Sequence, residues 1–383
     1  MNVALIIEKM APLRGGREVY VSRLAEALTA RGHQATVLCQ RCDWPEKPDD
    51  VKVAELGQRG RGAAGLATFV EYVERRLGEE AFDVSHAMLP VPSADIYHLH
   101  GGTAPGIEAA ALRRQPPAVR PFARLIRNRN RRRRLSAEME RRMVEAGKTV
   151  WICVSEMVAE EVRRYYSPPA PIRVILNAVR VPDVDDEQRA HWRQRTRYRM
   201  GVGPDDPVFI SVATNFRLKG IRQAIEAYAR WRHRRSHGGA RLVIVGRETP
   251  EGYRRHASLR DVAGEVVFVP PTRDIFEWYA AADACIVLSW YDPCGLVVLE
   301  AVRWGIPAVT TAYNGASEVL GGGAGEVVAD PNARSDIVAA MTAVTDAERR
   351  EDYEAACRRV ADSVSLDRHV DALLSVYSEV ASR

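Results

Sequence analysis

The amino-acid sequence predicts an α/β protein made of two doubly wound domains, each with a parallel β-sheet. Nine short runs of mainly apolar residues alternate with longer amphipathic stretches, which is typical of βαβ units. Runs that are apolar throughout are expected for strands covered by helices on both faces. A chain of 383 residues is long enough for about two domains, and nine strands suit two sheets better than one.

The predicted strands fall into two sets along the chain. The first set is NVALII, ATVLCQ, TVWICVS and IRVIL, and the second is PVFISVA, RLVIVG, EVVFV, ACIVLS and PAVTT. After the first strand, REVYVSRLAEALTARGH predicts a helix with Val19, Leu24, Ala27 and Leu28 on one face and Gly32 as its stop signal.

A polar, proline-bearing stretch at residues 177–207 separates the two sets of strands. We therefore expect an N-terminal domain over residues 1–180 and a C-terminal domain over residues 181–365. The final amphipathic stretch, residues 366–383, predicts a helix that folds back on the first domain.

The composition narrows the class of protein. Residues 3–7 are the only apolar run before the first charges, too short for a signal-peptide core or a membrane-spanning helix, so we expect a cytoplasmic protein. Six cysteines in a chain of this length do not indicate a disulfide framework. Cys39 and Cys42 form one CxxC pair without a second pair or a nearby histidine, which favours surface thiols at a strand end over a zinc or redox site.

Positive charge is concentrated in one segment. The formal net charge is +5, but residues 113–142 contain twelve arginines and two glutamates, which leaves −5 for the rest of the chain. Pro121 suits a helix start, and Phe122, Leu125 and Ile126 form a short apolar stripe among the cations. The segment suits an anionic membrane surface, with a solvated loop or a nucleic-acid contact as alternatives. One aromatic residue and no recognisable nucleic-acid module argue against nucleic acid.

Residues 291–309, YDPCGLVVLEAVRWGIPAV, connect two predicted strands and carry two carboxylates. Asp292 and Pro293 fit the N-cap and first position of a helix. Glu300 lies in an apolar run, where an ionised carboxylate is costly unless it finds hydrogen-bond donors. The N–H groups at this helix start, where Gly295 allows close approach, can bind an anion. An anion beside a polyol describes a nucleotide sugar, and a purely structural helix start is the alternative.

This stretch resembles the donor loop of the family 4 retaining glycosyltransferases, in which two acidic residues are separated by seven residues. Other segments similar to the family follow in its order: PLRGGREVYVSRLAEALTARGH, FDVSHAM, DIYHLHGG, WICVSEMVAEEV, IRVILNAV, RLKGIRQAIEAYA and RDIFEWYAAADACIVLS. The resemblance covers almost the whole chain. DPCGLVVLEA and NGASEV are most similar to the lipopolysaccharide core glucosyltransferase I branch. The resemblance implies a GT-B fold, with two Rossmann-like domains facing across a cleft.

The resemblance also implies roles for the matching residues. Asp292 stands where the family usually has Glu and would contact a hydroxyl of the donor sugar, while Glu300 would take the ribose hydroxyls. Lys219, with Arg217 in place of the family's usual arginine, would neutralise the leaving diphosphate. The donor-binding residues implied in this way are Gly15, Gly16, Asn215, Arg217, Lys219, Cys294, Gly295, Leu296, Val297 and Glu300.

We expect two catalytic residues, Asp292 and His100. His100 ends the segment DIYHLH and matches the family's active-site histidine near the reaction centre; His86 and His98 are rival candidates, and a structural histidine is the alternative. Asp183 to Asp185 imitates a metal-binding DxD motif, but it lies in the stretch that joins the domains. We expect no metal and no cofactor other than the nucleotide-sugar substrate.

The implied reaction is transfer with retention, in which the leaving phosphate takes the acceptor's proton, so that neither a strong protein base nor a metal is required. The expected donor is UDP-glucose, and the basic segment points to an anionic glycolipid or polysaccharide acceptor such as lipopolysaccharide core. It also points to peripheral contact with the inner face of the cytoplasmic membrane. Alternatives are another GT-B enzyme, an epimerase or phosphorylase, and a polyanion-binding scaffold. The residues expected at the membrane or acceptor are Arg124, Arg127, Arg131, Arg132, Arg133 and Arg134.

Overall fold

The computed structural model describes residues 1–12, 15–57, 60–234 and 238–383. The chain divides into two compact units, one formed by Met1–Asn177 with Asp367–Arg383 and the other by Ala178–Leu366. Each unit contains its own parallel β-sheet with helices packed on it, which confirms the predicted α/β class.

The first unit is built on seven parallel strands in the order β5-β3-β1-β6-β7-β8-β9. They are β1 (Asn2–Ile6), β3 (Gln34–Cys39), β5 (Lys52–Glu55), β6 (Val84–Ala87), β7 (Ile96–His98), β8 (Val150–Cys153) and β9 (Ile172–Val174), and a separate pair is formed by β2 (Lys9–Met10) and β4 (Arg41–Cys42). The helices are α1 (Gly16–Ala30), α2 (Gly62–Glu79), α3 (Ala104–Arg113), α4 (Arg120–Asn128), α5 (Arg131–Ala146), α6 (Glu156–Tyr165) and α14 (Leu366–Ala381).

The last helix belongs to the first unit from Asp367 onward. Its buried side chains include Val370, Leu373 and Tyr377, which repeat at the spacing of one helical face. Arg173, at β9, is paired with Glu379 on α14 at 3.0 Å. The C-terminal helix is therefore held to this unit by an apolar face and by charged contacts.

The second unit is built on six parallel strands in the order β12-β11-β10-β13-β14-β15. They are β10 (Val208–Ala213), β11 (Arg241–Gly246), β12 (Val266–Val269), β13 (Ala284–Val287), β14 (Ala308–Thr311) and β15 (Gly325–Val328). The helices are α7 (Asp186–Arg199), α8 (Ile221–His233), α9 (Glu251–Ser258), α10 (Ile275–Ala281), α11 (Leu296–Arg303), α12 (Arg334–Val344) and α13 (Arg350–Ala361).

Each of the nine predicted strands is present, and the described residues form six further strands that were not predicted: β2, β4, β5, β6, β7 and β15. β6 and β7 are short and contain buried histidines, so they lack the continuous apolar pattern used to find strands.

The DxD-like motif has a structural explanation, because the side chain of Asp185 caps α7 by accepting the N–H of Gln188 at 2.7 Å.

Among the described residues, no helix is long and apolar enough to cross a membrane. The same residues contain no group of three His, Cys, Asp or Glu side chains placed to hold a metal ion. Cys39 is buried at the end of β3 and Cys42 is half-buried, so the expectation of two surface thiols was wrong for Cys39.

Candidate functional site

Three loops of the second unit meet at one edge of its sheet. β10, β13 and β14 are neighbouring parallel strands, so the loops that leave their carboxyl ends lie side by side. These loops carry Lys219 after β10, Asp292 after β13 and Asn314 after β14. In open α/β sheets this edge is where ligands usually bind.

The loop after β10 delivers Lys219 to Asp292. Lys219 Nζ forms an ion pair with Asp292 Oδ2, and the two side chains are 18% and 12% exposed. Gly220 follows with φ +67°, and a Cβ there would lie 2.1 Å from the carbonyl oxygen of Leu288. Glycine is therefore required for this loop to approach the end of β13. The structure thus places one predicted phosphate ligand and one predicted catalytic carboxylate in direct contact.

Asn215 and Arg217 take different positions in that loop. Asn215 Oδ1 accepts the N–H of Leu218 at 2.8 Å, so its side chain stabilises the turn. Arg217 is exposed and, within the described chain, makes no hydrogen bond or ion pair. A cation without an internal partner at this edge is available to a ligand.

The helix after β13 begins later than predicted. We expected Asp292 and Pro293 to cap it, but α11 begins at Leu296 and its N-cap residue is Gly295. Asp292 pairs instead with Lys219, which corrects the capping assignment. The N–H groups of Leu296 and Val297 fall in the first turn, where a helix offers them no acceptor of its own. An anion can be bound there.

Asn314 organises this helix start, and its role was not predicted. Its Oδ1 accepts the N–H of Gly295 at 3.0 Å and that of Ala316 at 3.1 Å, and its Nδ2 donates to Thr310 Oγ1 at 3.0 Å. A Cβ on Gly295 would come within 3.0 Å of both Asn314 and Asp292. Gly295 is therefore needed for packing against these side chains, whereas we had assigned its close approach to a ligand.

Glu300 is half-buried on α11, and its carboxylate accepts a hydrogen bond from a buried side chain of α10. Tyr279 on α10 donates its hydroxyl to Glu300 Oε2 at 3.1 Å, and the Tyr279 side chain is fully buried. Burial and the neighbouring carboxylate raise the pKa of Tyr279 well above its usual value, so it remains a protonated donor. Tyr279 therefore supplies a hydrogen-bond donor of the kind that the sequence argument requires for a carboxylate in an apolar run.

In the first unit, Gly15 and Gly16 mark the start of α1. Gly15 is the N-cap residue with φ −159° and ψ 157°, an extended conformation that any residue adopts. A Cβ on Gly15 would meet the Glu18 carboxylate at 2.3 Å. Glycine at position 15 therefore leaves space for the Glu18 carboxylate and is not required by a left-handed backbone.

The three candidate histidines belong to one buried cluster at the ends of β6 and β7. His86 Nε2 lies 3.1 Å from His98 Nδ1, and both side chains are fully buried. His100 is less buried; its ring centroid lies 4.0 Å from that of His98 and 4.1 Å from that of Tyr20. His100 is the least buried of the three, but its Nε2 atom is buried and has no hydrogen-bond partner within the described chain.

The cluster extends to the C-terminal helix. His369 Nδ1 donates to the carbonyl oxygen of Leu176 at 2.6 Å, and Tyr20 therefore donates its hydroxyl to His369 Nε2 at 2.8 Å. His86 Nδ1 lies 2.5 Å from the hydroxyl of Tyr377. Burial lowers the pKa of His86 to about 3 and that of His369 to about 4, and it holds the pKa values of His98 and His100 well below 6.5. All four rings are neutral at pH 7.

We expect the free energy of unfolding to fall as the pH is lowered below 6.5. The unfolded chain protonates these histidines near 6.5, whereas the folded chain resists protonation down to about pH 4 at His369 and about pH 3 at His86. The unfolded state therefore binds protons first, and each histidine costs about 1.36 kcal/mol per pH unit in that window. Denaturant titrations at pH 7.5, 6.0 and 5.0 measure the slope.

The variant His369→Gln isolates one histidine, because glutamine can keep both hydrogen bonds without titrating. Its slope between pH 6 and 5 should be smaller than the wild-type slope by about 1.36 kcal/mol per pH unit. The exposed His191→Gln serves as the control and should leave the slope unchanged. Equal slopes in all three proteins would show that the buried cluster does not govern the acid response.

The predicted basic segment folds as α4 and α5, with Pro121 in the first turn of α4. Phe122, Leu125 and Ile126 are 67%, 56% and 53% exposed and lie on one face of α4. Three of the six predicted arginines are paired with carboxylates: Arg127 and Arg133 with Glu108, and Arg132 with Glu8. Within the described chain, Arg124, Arg131 and Arg134 make no ion pair and are exposed.

A cavity of about 760 Å³ opens at the opposite edge of the second sheet. Pro207, Asp283 and Pro307, which directly precede β10, β13 and β14, line it together with Arg193. Arg193 donates to Asp283 at 2.6 Å and to carbonyl groups at the end of α10, so this cation is already engaged. The loops with Lys219, Asp292 and Asn314 leave the other ends of the same strands, and we place the candidate site there.

Comparison with known proteins identifies the class. A family model described as "Glycosyltransferase Family 4" matches residues 14–181, and one described as "Glycosyl transferases group 1" matches residues 193–360. The chain belongs to these glycosyltransferases and is an enzyme of this class. The resemblance stated from the sequence is thereby confirmed.

Two known proteins are similar to the chain over almost its whole length. The lipopolysaccharide glucosyltransferase WaaG of Escherichia coli (strain K12) is 25% identical over 372 residues, which cover 96% of each chain. The crystal structure of WaaG matches with a TM-score of 0.80 at 23% identity, over 98% of this chain and 99% of that one. Anabaena Alr3699/HepE, solved with UDP-glucose, matches with a TM-score of 0.74 at 16% identity, over 99% and 100% of the two chains. These structures confirm the GT-B fold.

Proposed function

We propose that this glycosyltransferase moves a hexose, glucose in our proposal, from a UDP-sugar to an anionic glycolipid or polysaccharide such as lipopolysaccharide core. One observation carries the donor part: at the carboxyl edge of the second sheet, the Lys219–Asp292 pair, the start of α11 and Glu300 lie on adjoining loops and one helix. Together they offer a cation, backbone donors and carboxylates to one ligand. The similarity to WaaG, a lipopolysaccharide glucosyltransferase, and to HepE, which binds UDP-glucose, supports this choice.

In the proposed donor complex, the diphosphate lies against the N–H groups of Leu296 and Val297 and near Lys219 and Arg217. Backbone donors at a helix start and a fixed cation both stabilise the negative charge that grows on the leaving group. The ribose hydroxyls donate to Glu300. No metal or further cofactor is part of the proposal, because protein cations supply the charge. Cys294 is buried beside the helix start and is assigned a packing role next to the donor.

We propose that transfer occurs with retention of the anomeric configuration. The bond from the sugar's anomeric carbon to the phosphate oxygen breaks, and the acceptor oxygen bonds to that carbon on the same face. The acceptor's proton passes to the departing phosphate, and Lys219 and Arg217 compensate the diphosphate's charge. Asp292, oriented by Lys219, is assigned to a hydroxyl group of the transferred sugar, and neutral His100 is the catalytic histidine proposed for the first unit; neither has to serve as a strong base.

The acceptor part of the proposal rests on α4. Its exposed face of Phe122, Leu125 and Ile126, flanked by Arg124, has the composition of an interfacial helix. We propose that this face contacts an anionic membrane in which a glycolipid acceptor is held, on the cytoplasmic side. Arg131 and Arg134, at the start of α5, add unpaired positive charge; the already paired Arg127, Arg132 and Arg133 are not assigned to lipid.

A panel of nucleotide sugars tests the proposed function. We expect UDP-glucose at about one hundred times its dissociation constant to stabilise the protein by about 2.7 kcal/mol, whereas GDP- and ADP-sugars at the same concentration give smaller shifts. Release of UDP should require an added phosphorylated glycolipid acceptor. Stabilisation by heparin and not by any nucleotide sugar would favour a polyanion-binding scaffold. Release of UDP at the same rate with and without the acceptor would indicate another GT-B activity.

A further inference from the structure

The contact between Tyr279 and Glu300 links the core of the second unit to the proposed ribose ligand. Tyr279 lies on α10, and its hydroxyl donates to Glu300 Oε2 at 3.1 Å. Tyr279 is fully buried. Glu300 is half-buried and lies on α11, which follows α10 in the chain after strand β13. A fixed, buried donor therefore holds one oxygen of a carboxylate that reaches the surface.

The ring of Tyr279 is itself fixed by aromatic contacts. Its centroid lies 5.6 Å from that of Phe276 on the same helix, and the Phe276 ring centroid lies 5.1 Å from that of Trp304, the C-cap residue of α11. α10 and α11 are thus packed against each other through aromatic rings at one end and joined by the Tyr279–Glu300 hydrogen bond. The hydroxyl direction is determined by this packing rather than by solvent.

We infer that Tyr279 is a positioning residue for the nucleotide: it orients the Glu300 carboxylate so that ribose hydroxyls are recognised. A glutamate side chain has three rotatable torsions, and freezing them costs conformational entropy when a ligand binds. An internal hydrogen bond that sets the carboxylate direction beforehand removes part of this cost. The inference rests on the proposed donor role of Glu300 and adds a residue that never touches the substrate.

Ribose recognition and general support of the fold have different experimental signatures. A residue that only stabilises α10 should affect the melting temperature and leave donor selectivity alone. A residue that orients Glu300 should affect the discrimination between UDP-glucose and 2′-deoxy-UDP-glucose, because that discrimination depends on the carboxylate's direction.

Tyr279→Phe removes the hydroxyl and keeps the ring. We expect KM for UDP-glucose to rise about fivefold to tenfold, as for loss of a hydrogen bond to a charged group, with kcat changed less than about twofold. Preference for UDP-glucose over its 2′-deoxy analogue should fall by a similar factor. Tyr228→Phe is the control, since Tyr228 is also fully buried and its hydroxyl lies 2.9 Å from a carboxylate oxygen of Glu265 and 2.8 Å from the carbonyl oxygen of Ala240.

A double-mutant cycle with Glu300→Gln separates the possible failures. If Tyr279 acts through Glu300, adding Tyr279→Phe to Glu300→Gln leaves KM and the 2′-deoxy preference unchanged. The positioning role of Tyr279 alone would be overturned if Tyr279→Phe changed KM equally in the wild-type and the Glu300→Gln backgrounds. It would also be overturned if Tyr279→Phe left KM unchanged in the wild type while Glu300→Gln raised it. A normal KM in Glu300→Gln would overturn the proposed donor role as well.

Discussion

Glu300→Ala is expected to weaken UDP-glucose binding by at least about two orders of magnitude. Two ribose hydroxyls donate to this carboxylate in the proposed complex, and hydrogen bonds to a charged group contribute roughly 1.5–3 kcal/mol each. At the UDP-glucose concentration that gives the wild type about 2.7 kcal/mol of stabilisation, a hundredfold weaker variant retains about 0.4 kcal/mol. The ligand-induced rise in melting temperature should therefore almost vanish while the unliganded protein stays folded.

The matched control for this variant is Glu265→Ala. Glu265 accepts a hydrogen bond from the buried Tyr228, as Glu300 does from Tyr279, but it directly precedes β12 and so lies at the amino edge of the same sheet. Its replacement should leave the response to UDP-glucose intact. An unaltered response in Glu300→Ala would reject the assignment of the donor loop.

The triple variant Arg124→Gln, Arg131→Gln, Arg134→Gln is expected to lower binding to anionic vesicles by about two orders of magnitude. Each cation near an anionic surface contributes about 1 kcal/mol, and these three arginines are exposed and unpaired within the described chain. About 3 kcal/mol corresponds to roughly a 150-fold change in the partition coefficient. Sedimentation with vesicles that contain phosphatidylglycerol, at low and physiological salt, measures it.

An equal change of charge elsewhere provides the control. Arg230, Arg234 and Arg255 are exposed residues of the second unit, and their replacement by Gln removes three positive charges far along the chain from α4. This control should bind vesicles nearly as well as the wild type if α4 and α5 form the docking face. Similar losses in both triple variants would mean that net charge governs binding, which would contradict a specific docking helix.

Much of the fold could be predicted because its strands are continuous apolar runs. ACIVLS and PAVTT, for example, correspond to β13 and β14, both fully buried as expected for parallel strands covered on two faces. β6 and β7 escaped prediction because Ser85, His86 and His98 interrupt their pattern, although all three side chains are buried. The polar residues are tolerated there because hydrogen bonds join them, as His86 to Tyr377.

The parts of the candidate site that lie within one short motif could be predicted from the sequence. Contacts between residues far apart in the chain could not. The acidic loop and the Lys-Gly turn could be read from the sequence, but not that Lys219 pairs with Asp292, 73 positions later. Tyr279 and Asn314 were missed for the same reason, since neither carries a reactive group that singles it out. The asparagine-glycine pair at residues 314 and 315 was the one available signal, because it marks a turn.

The most direct test of the central claim is a crystal structure with UDP-glucose bound. We predict that the diphosphate contacts the N–H groups of Leu296 and Val297 together with Lys219, and that Glu300 accepts from the ribose hydroxyls while keeping its hydrogen bond from Tyr279. A nucleotide bound instead in the cavity beside Arg193, at the amino edge of the sheet, would contradict this account.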